Sequence, residues 1–206
     1  MSRTVSEMSF TIDIGVGLDG CLYPFADVVR SWAAGSTGQA LPESSQWAFW
    51  KGWGWTDTQF AALRESGMAL GVLYSSGVPN VEVLSAMRRL ADKGHRLHVV
   101  SSRAGAWHVD AAVTREWLWR WGVPYETLHV VEGSKASVAA GLGIRVMLED
   151  SLDAGASLAD VARVVMWAQP WNEAWAGDRI REGWELEAIV ESEAERIAPR
   201  AGVRLV

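Results

Sequence analysis

The stretch Ile12-Asp13-Ile14-Gly15-Val16-Gly17-Leu18-Asp19-Gly20-Cys21-Leu22 decides how this chain is read. It is largely apolar up to Leu18 and then turns acidic and glycine-containing. Strands covered on both faces of a parallel sheet are near-continuously apolar. Open α/β sheets bind their ligands at the carboxyl ends of such strands. Asp19-Gly20 is therefore a candidate site, with an ordinary Asp-Gly turn as the plain alternative.

Working outward, the chain from residue 78 onward is regular. Val83, Leu84, Met87, Leu90 and Ala91 recur at helical spacing, with Asn80 as the expected cap and Gly94 as the stop. His95 to Val100 reads as a strand that ends at Ser101-Ser102-Arg103. A helix is expected from about His108 to Trp121, closed by Gly122, and an extended piece from Tyr125 to Val131. Ser134 should cap a short helix that carries Lys135. Ile144 to Leu148 is a strand ending at Glu149-Asp150, with Asp153 expected to cap the next helix, marked by Leu158, Val161 and Ala162. A strand at Val164 to Trp167 runs into Gln169-Pro170-Trp171-Asn172, and an amphipathic helix spans Glu182 to Ile197. Strands alternating with helices indicate an α/β fold with a doubly wound parallel sheet and right-handed crossovers.

Residues 25–77 are of another kind. They hold Gly35-Ser36-Thr37-Gly38, the cluster Trp47, Trp50, Trp53 and Trp55, and two helical stretches, from Phe25 and from Thr56 or Asp57. They read as a small, mainly helical insertion after the first strand, which leaves 9–24 and 78–206 as the core domain.

Composition excludes several classes. With a net charge of −6 and no block of Lys or Arg, the chain is not expected to bind a nucleic acid polymer. It shows no apolar run long enough for a membrane span, and its first ten residues lack a secretory pattern. One cysteine, Cys21, rules out an intramolecular disulfide and suits a cytoplasmic setting. A homodimer is left open.

Four features in this order, the Asp-Gly loop, Val99-Val100-Ser101-Ser102-Arg103, Lys135 and Met147-Leu148-Glu149-Asp150, resemble the haloacid dehalogenase (HAD) superfamily of phosphohydrolases. Gly94 to Ser101, Glu116-Trp117-Leu118, Leu148 to Ser151 and the Gln169-Pro170-Trp171-Asn172 ending narrow the resemblance to 5′(3′)-deoxyribonucleotidases and their bacterial and phage relatives. The resemblance implies a Rossmann-like core with residues 25–77 as a cap, Mg²⁺ as cofactor, and a nucleotide or other small phosphate monoester as substrate. It implies Asp19 as general acid/base, Ser101 as a hydroxyl meeting phosphate, and Lys135 as the neutralising cation. Asp150 and Glu149 would hold the metal, with Asp19 adding its backbone carbonyl. Ser102 and Arg103 would contact substrate, Arg103 equally serving to brace the loop. Phe49, Trp50, Trp53 and Trp55 would stack on a nucleobase, against the plainer reading that they hold the cap together.

One position departs from that pattern. The attacking Asp of the family belongs two residues before Asp19, where this chain has Gly17. Glycine supplies neither a nucleophile nor a metal ligand, so catalysis is expected to be impaired. Three accounts are open: a member that binds without turnover, an altered copy of an active enzyme, and direct attack by water held at Asp19. A structural partner protein using the tryptophan-rich segment is a further alternative. Gly17→Asp is expected to be tolerated at the strand end and to restore hydrolysis.

Overall fold

In the computed structural model, residues 10–104 and 109–198 are described. The first strand, β1 (Asp13–Gly17), is buried from its second residue onward, as an apolar strand inside a parallel sheet must be. It pairs on one side with β2 (Arg96–Ser101), in the register Val16 to Val99 and Gly17 to Val100. On the other side it pairs with β4 (Val146–Glu149), Val16 lying opposite Leu148. β3 (Thr127–Val130) and β5 (Arg163–Trp167) flank these, and a short β6 (Asp178–Ile180) completes the order β3-β2-β1-β4-β5-β6. Every pairing among the described residues is parallel, giving an α/β, Rossmann-like sheet flanked by helices.

The order matters because β1 lies centrally and the chain winds outward on both sides of it. Ends of strands far apart in sequence, Gly17, Ser101 and Glu149, therefore meet at one edge. The core beneath that edge packs Ile14, Val16, Val99, Leu148 and Val165 against Met87, Leu90 and Trp117. At the opposite edge Asp13 binds Arg96, and its Oδ1 accepts a 2.8 Å hydrogen bond from His98 Nε2.

Three helices lie between β1 and the helix α4 (Val81–Asp92): α1 (Phe25–Thr37), α2 (Phe49–Gly52) and α3 (Asp57–Ala69). Val29, Phe49, Phe60, Leu63, Leu73 and Tyr74 give them a second apolar cluster. Thr56 caps α3 in a reciprocal capping box with Gln59, and Asn80 caps α4 by accepting from the Glu82 and Val83 N–H groups. The remaining helices are α5 (Ala111–Arg120), α6 (Lys135–Leu142), α7 (Leu152–Leu158) and α8 (Gly183–Ile197). None of the described helices is long and apolar enough to cross a membrane.

Several expectations shift. α5 begins at Ala111 behind an Asp110 cap, and His108 lies outside the described residues. Ser151, not Asp153, caps α7 by accepting from the Ala154 N–H. Asp153 sits in the first turn, where its charge meets the positive end of the helix. Val161 and Ala162 fall beyond α7, in the turn before β5. The sequence pattern also missed α2 and β6, both too short to show a period.

Candidate active site

The site is built from strand ends and the loops that follow them. After Gly17 the chain turns sharply. Gly20 has φ 78°, and a Cβ there would lie 2.0 Å from Asp150 Oδ2, so this position accepts only glycine on two independent grounds. The turn brings the Asp19-Gly20 loop against the Glu149-Asp150 strand end, as the motif order implied.

Asp19 faces Arg103 from the neighbouring strand end. The Arg103 guanidinium donates from Nε at 2.9 Å and from an Nη at 2.6 Å to the Asp19 carboxylate, and from the other Nη at 3.0 Å to Thr114 Oγ1. It lies 4.7 Å from the ring centres of Tyr23 and Tyr74, between which it is fully buried. Arg103 is thus a brace for Asp19, and the substrate contact expected of it has no exposed group to make it. Tyr74 adopts φ 68°, a strained conformation for an aromatic residue, and its hydroxyl is buried without a hydrogen-bond partner. Burial pushes the Tyr23 and Tyr74 hydroxyls upward, so both rings stay neutral beside the cation. Ser101 is buried, and its Oγ accepts the Arg103 N–H at 3.3 Å, while Ser102 is exposed next to it.

Lys135 opens α6 and binds the Glu149 carboxylate directly. Burial works against the charged ammonium, yet Glu149 outweighs it and holds Lys135 above its ordinary range. The second Glu149 oxygen accepts the Asp150 N–H at 3.3 Å. The Glu149 side chain also lies against Gly17. A Cβ on Gly17 would stand 3.1 Å from Glu149 Oε1, 3.2 Å from its Cδ and 2.9 Å from the Leu148 carbonyl oxygen. An aspartate here, expected to be tolerated, would need movement: its Cβ meets a backbone oxygen and a buried carboxylate, and one of them must shift by a few tenths of an ångström.

Asp150 is the least compensated group. Burial first, and the neighbouring Glu149 charge second, push its carboxyl well above the ordinary carboxylate range. Among the described residues its one side-chain donor is the Trp171 indole N–H, at 3.2 Å from Oδ2. The Gln169-Pro170-Trp171-Asn172 segment now has a physical meaning. Gln169 Nε2 donates to the Gly20 carbonyl at 2.6 Å, and Asn172 Nδ2 donates to the Asp150 and Trp167 carbonyls at 2.9 and 2.8 Å. This one segment therefore ties both acidic loops together.

A cavity of about 70 Å³ lies over these loops. Asp19 and Asp150 line it together with Phe25, Trp47, Phe49, Trp50 and Trp171. Of the expected stacking residues, Phe49 and Trp50 line it. Trp53 and Trp55 do not: they pack edge to face with each other at 5.5 Å, and Trp53 donates to the Pro42 carbonyl. Trp47 and Trp171 were absent from the expected set, although Trp171 stood inside a motif already singled out.

Of the expected magnesium ligands, the Glu149 carboxylate binds Lys135 and the Asp19 carboxylate faces Arg103, while the Asp19 backbone carbonyl expected to reach the metal accepts no backbone hydrogen bond among the described residues. No group of three or more potential metal-ligating side chains forms among the described residues. Asp19, Glu149 and Asp150 converge in space at this edge.

No protein-family model and no curated protein sequence matches the chain. Solved structures do. A HAD-superfamily hydrolase of subfamily IA from Geobacter sulfurreducens superposes with a TM-score of 0.54 at 15% identity, covering 90% of this chain and 100% of that one. A haloacid dehalogenase-like hydrolase from Xanthomonas campestris gives 0.58 at 13%, covering 91% and 99%. A predicted phosphoglycolate phosphatase from Haemophilus somnus gives 0.56 at 14%, covering 89% and 99%. The chain has the fold of HAD hydrolases over nearly its whole length.

Proposed function

We propose that this chain is a HAD-type phosphohydrolase scaffold that binds a small phosphate monoester, of the nucleoside monophosphate kind, and has lost turnover. Residues 25–77 act as its cap and Asp19 as the vestigial acid/base. The observation that carries the loss is Gly17 at the end of β1 with Glu149 packed against it. No nucleophilic side chain stands at that strand end, and an aspartyl-phosphate cannot form on glycine. The nucleotide class is supported by the motif resemblance and by the aromatic lining of the cavity. Of the expected magnesium set, the Asp19 backbone carbonyl and one Asp150 carboxylate oxygen have no protein donor among the described residues, so magnesium enters as a cation to be tested beside the ligand.

Phosphate release from nucleoside monophosphates and an aryl phosphate, with and without magnesium, tests the loss of turnover. Melting curves with the same compounds test binding, since a ligand at a hundred times its Kd stabilises by about 2.7 kcal/mol. A rise in melting temperature without phosphate release is the expected result. Release at rates typical of enzymes, on the order of 1–10³ s⁻¹, would overturn the assignment of lost turnover. Absence of any melting shift would remove the ligand reading.

A further inference from the structure

The Gln169-Pro170-Trp171-Asn172 segment ties the acidic loops together, and the residue that grips the segment itself lies outside the site. Arg179 sits on the edge strand β6, opposite Met166 of β5. Its Nε donates to Asn172 Oδ1 at 3.0 Å, and its Nη2 donates to the Gln169 carbonyl at 2.9 Å. Both acceptors are uncharged, so the planar fork of donors, rather than charge pairing, makes these contacts. Asn172 is fully buried and uses both ends of its amide. Oδ1 accepts from Arg179 and from the Gln169 N–H at 3.0 Å, while Nδ2 donates to the Asp150 and Trp167 carbonyls. Two donors converging on one end fix it as the oxygen, which turns Nδ2 toward Asp150. The carbonyl that Arg179 also grips belongs to Gln169, whose side chain holds the Gly20 carbonyl. Between these two residues Trp171 donates to Asp150 Oδ2.

We propose that Arg179 is a positioning residue for the crevice: acting through Asn172 and Gln169, it sets the spacing between the Asp19-Gly20 loop and the Asp150 strand end, and with it the fit of the phosphate ester. Arg179 does not line the cavity, so its influence passes through the segment. The spacing has little slack, because Gly20 already lies so close to Asp150 that no Cβ fits between them. A small shift of the segment therefore changes the separation of the loops directly. The inference rests on the reading of this crevice as a phosphate-ester site, yet the clamp itself is read without a ligand. The same edge strand supplies a control. Arg163 Nε donates to Asp178 Oδ2 at 2.7 Å, which ties β6 to β5 without touching residues 169–172.

The experiment uses the full-length protein labelled with ¹⁵N-tryptophan. The Trp171 indole N–H resonance is identified by its loss in Trp171→Phe. Arg179→Gln should move that resonance and speed its hydrogen exchange by about tenfold or more, since local opening then costs less. Arg179→Lys, which keeps the charge without the fork, should behave like Arg179→Gln. Arg163→Gln should lower the melting temperature but leave the Trp171 signal in place. Titration with phenyl phosphate and thymidine monophosphate, with magnesium, should show affinity falling several-fold in Arg179→Gln and unchanged in Arg163→Gln. An unmoved Trp171 signal in Arg179→Gln, or an equal change in Arg163→Gln, would overturn the proposal. So would wild-type behaviour in Arg179→Lys, or unchanged ester affinity in Arg179→Gln. If Arg179→Gln does not fold, Arg179→Lys decides by the same readouts. No ester binding by the wild-type protein would remove the phosphate-ester reading, and the spacing role would then stand or fall on the Trp171 signal.

Discussion

The substitution most directly governed by the structure is at Gly17. Gly17→Ala adds one carbon, and that carbon would lie 2.9 Å from the Leu148 carbonyl oxygen. A backbone atom of the central sheet cannot rotate aside as a side-chain end can, so β1 and β4 must part by a few tenths of an ångström. Overpacking of this kind costs about 1–3 kcal/mol. In a domain of this size each kcal/mol shifts the melting temperature by about 2–4 °C, so a fall of roughly 2–12 °C is expected. Gly17→Asp adds a carboxylate beside that of Glu149, which already binds Lys135. One ammonium cannot compensate both, and an uncompensated buried charge adds about 3–5 kcal/mol if it stays ionised. Glu149→Ala alone should also destabilise, because it strands Lys135. In the double variant the new carboxylate can take Lys135 in place of the lost one. The two changes should therefore couple favourably, by about 0.5–3 kcal/mol, in a denaturant-unfolding cycle of the four proteins. Gly17→Asp alone should release phosphate only at background. Wild-type stability in Gly17→Asp, or strict additivity across the cycle, would refute the idea that Glu149 fills the space left by the missing side chain.

Two further outcomes follow from the ion pairs. The hydrogen bond from Arg96, reinforced by His98 against the opposing effect of burial, holds the Asp13 carboxyl below its ordinary 3.8. Its contribution is thus present above that value and lost as pH falls through the lower native value, where the unfolded chain binds more protons. Urea midpoints measured between pH 5 and 2 should fall less steeply in Asp13→Asn, and parallel curves would contradict this. Arg103→Lys keeps the charge but cannot hold both Asp19 and Thr114. Losing one or two charge-assisted bonds at about 1.5–3 kcal/mol each should lower thermal stability, and an unchanged melting temperature would show that the brace is dispensable.

The sequence by itself determined the parallel sheet and most helix starts. Those features are encoded locally: an apolar run bounded by glycine, a threonine or aspartate before a helical stretch, an asparagine before an apolar helical face. Asn80 and Ser134 cap where the pattern put them, and of the two residues the pattern left open at the start of α3, Thr56 is the cap. The motif order also indicated which strand ends should meet, and the register of β1 with β2 and β4 brings Gly17, Ser101 and Glu149 to one edge. Only the tertiary structure decided how the side chains there divide among one another. Arg103 turns inward because Tyr23 and Tyr74, far apart in sequence, close around it. Glu149 leans across Gly17 to Lys135 because the sheet order makes β4 the neighbour of β1. Trp47 joins the cavity and Trp53 and Trp55 leave it because the packing of the inserted helices, not the spacing of tryptophans, sets which rings face Asp150. Local propensity acts within a few residues, whereas charge pairing and burial depend on neighbours supplied by distant parts of the chain.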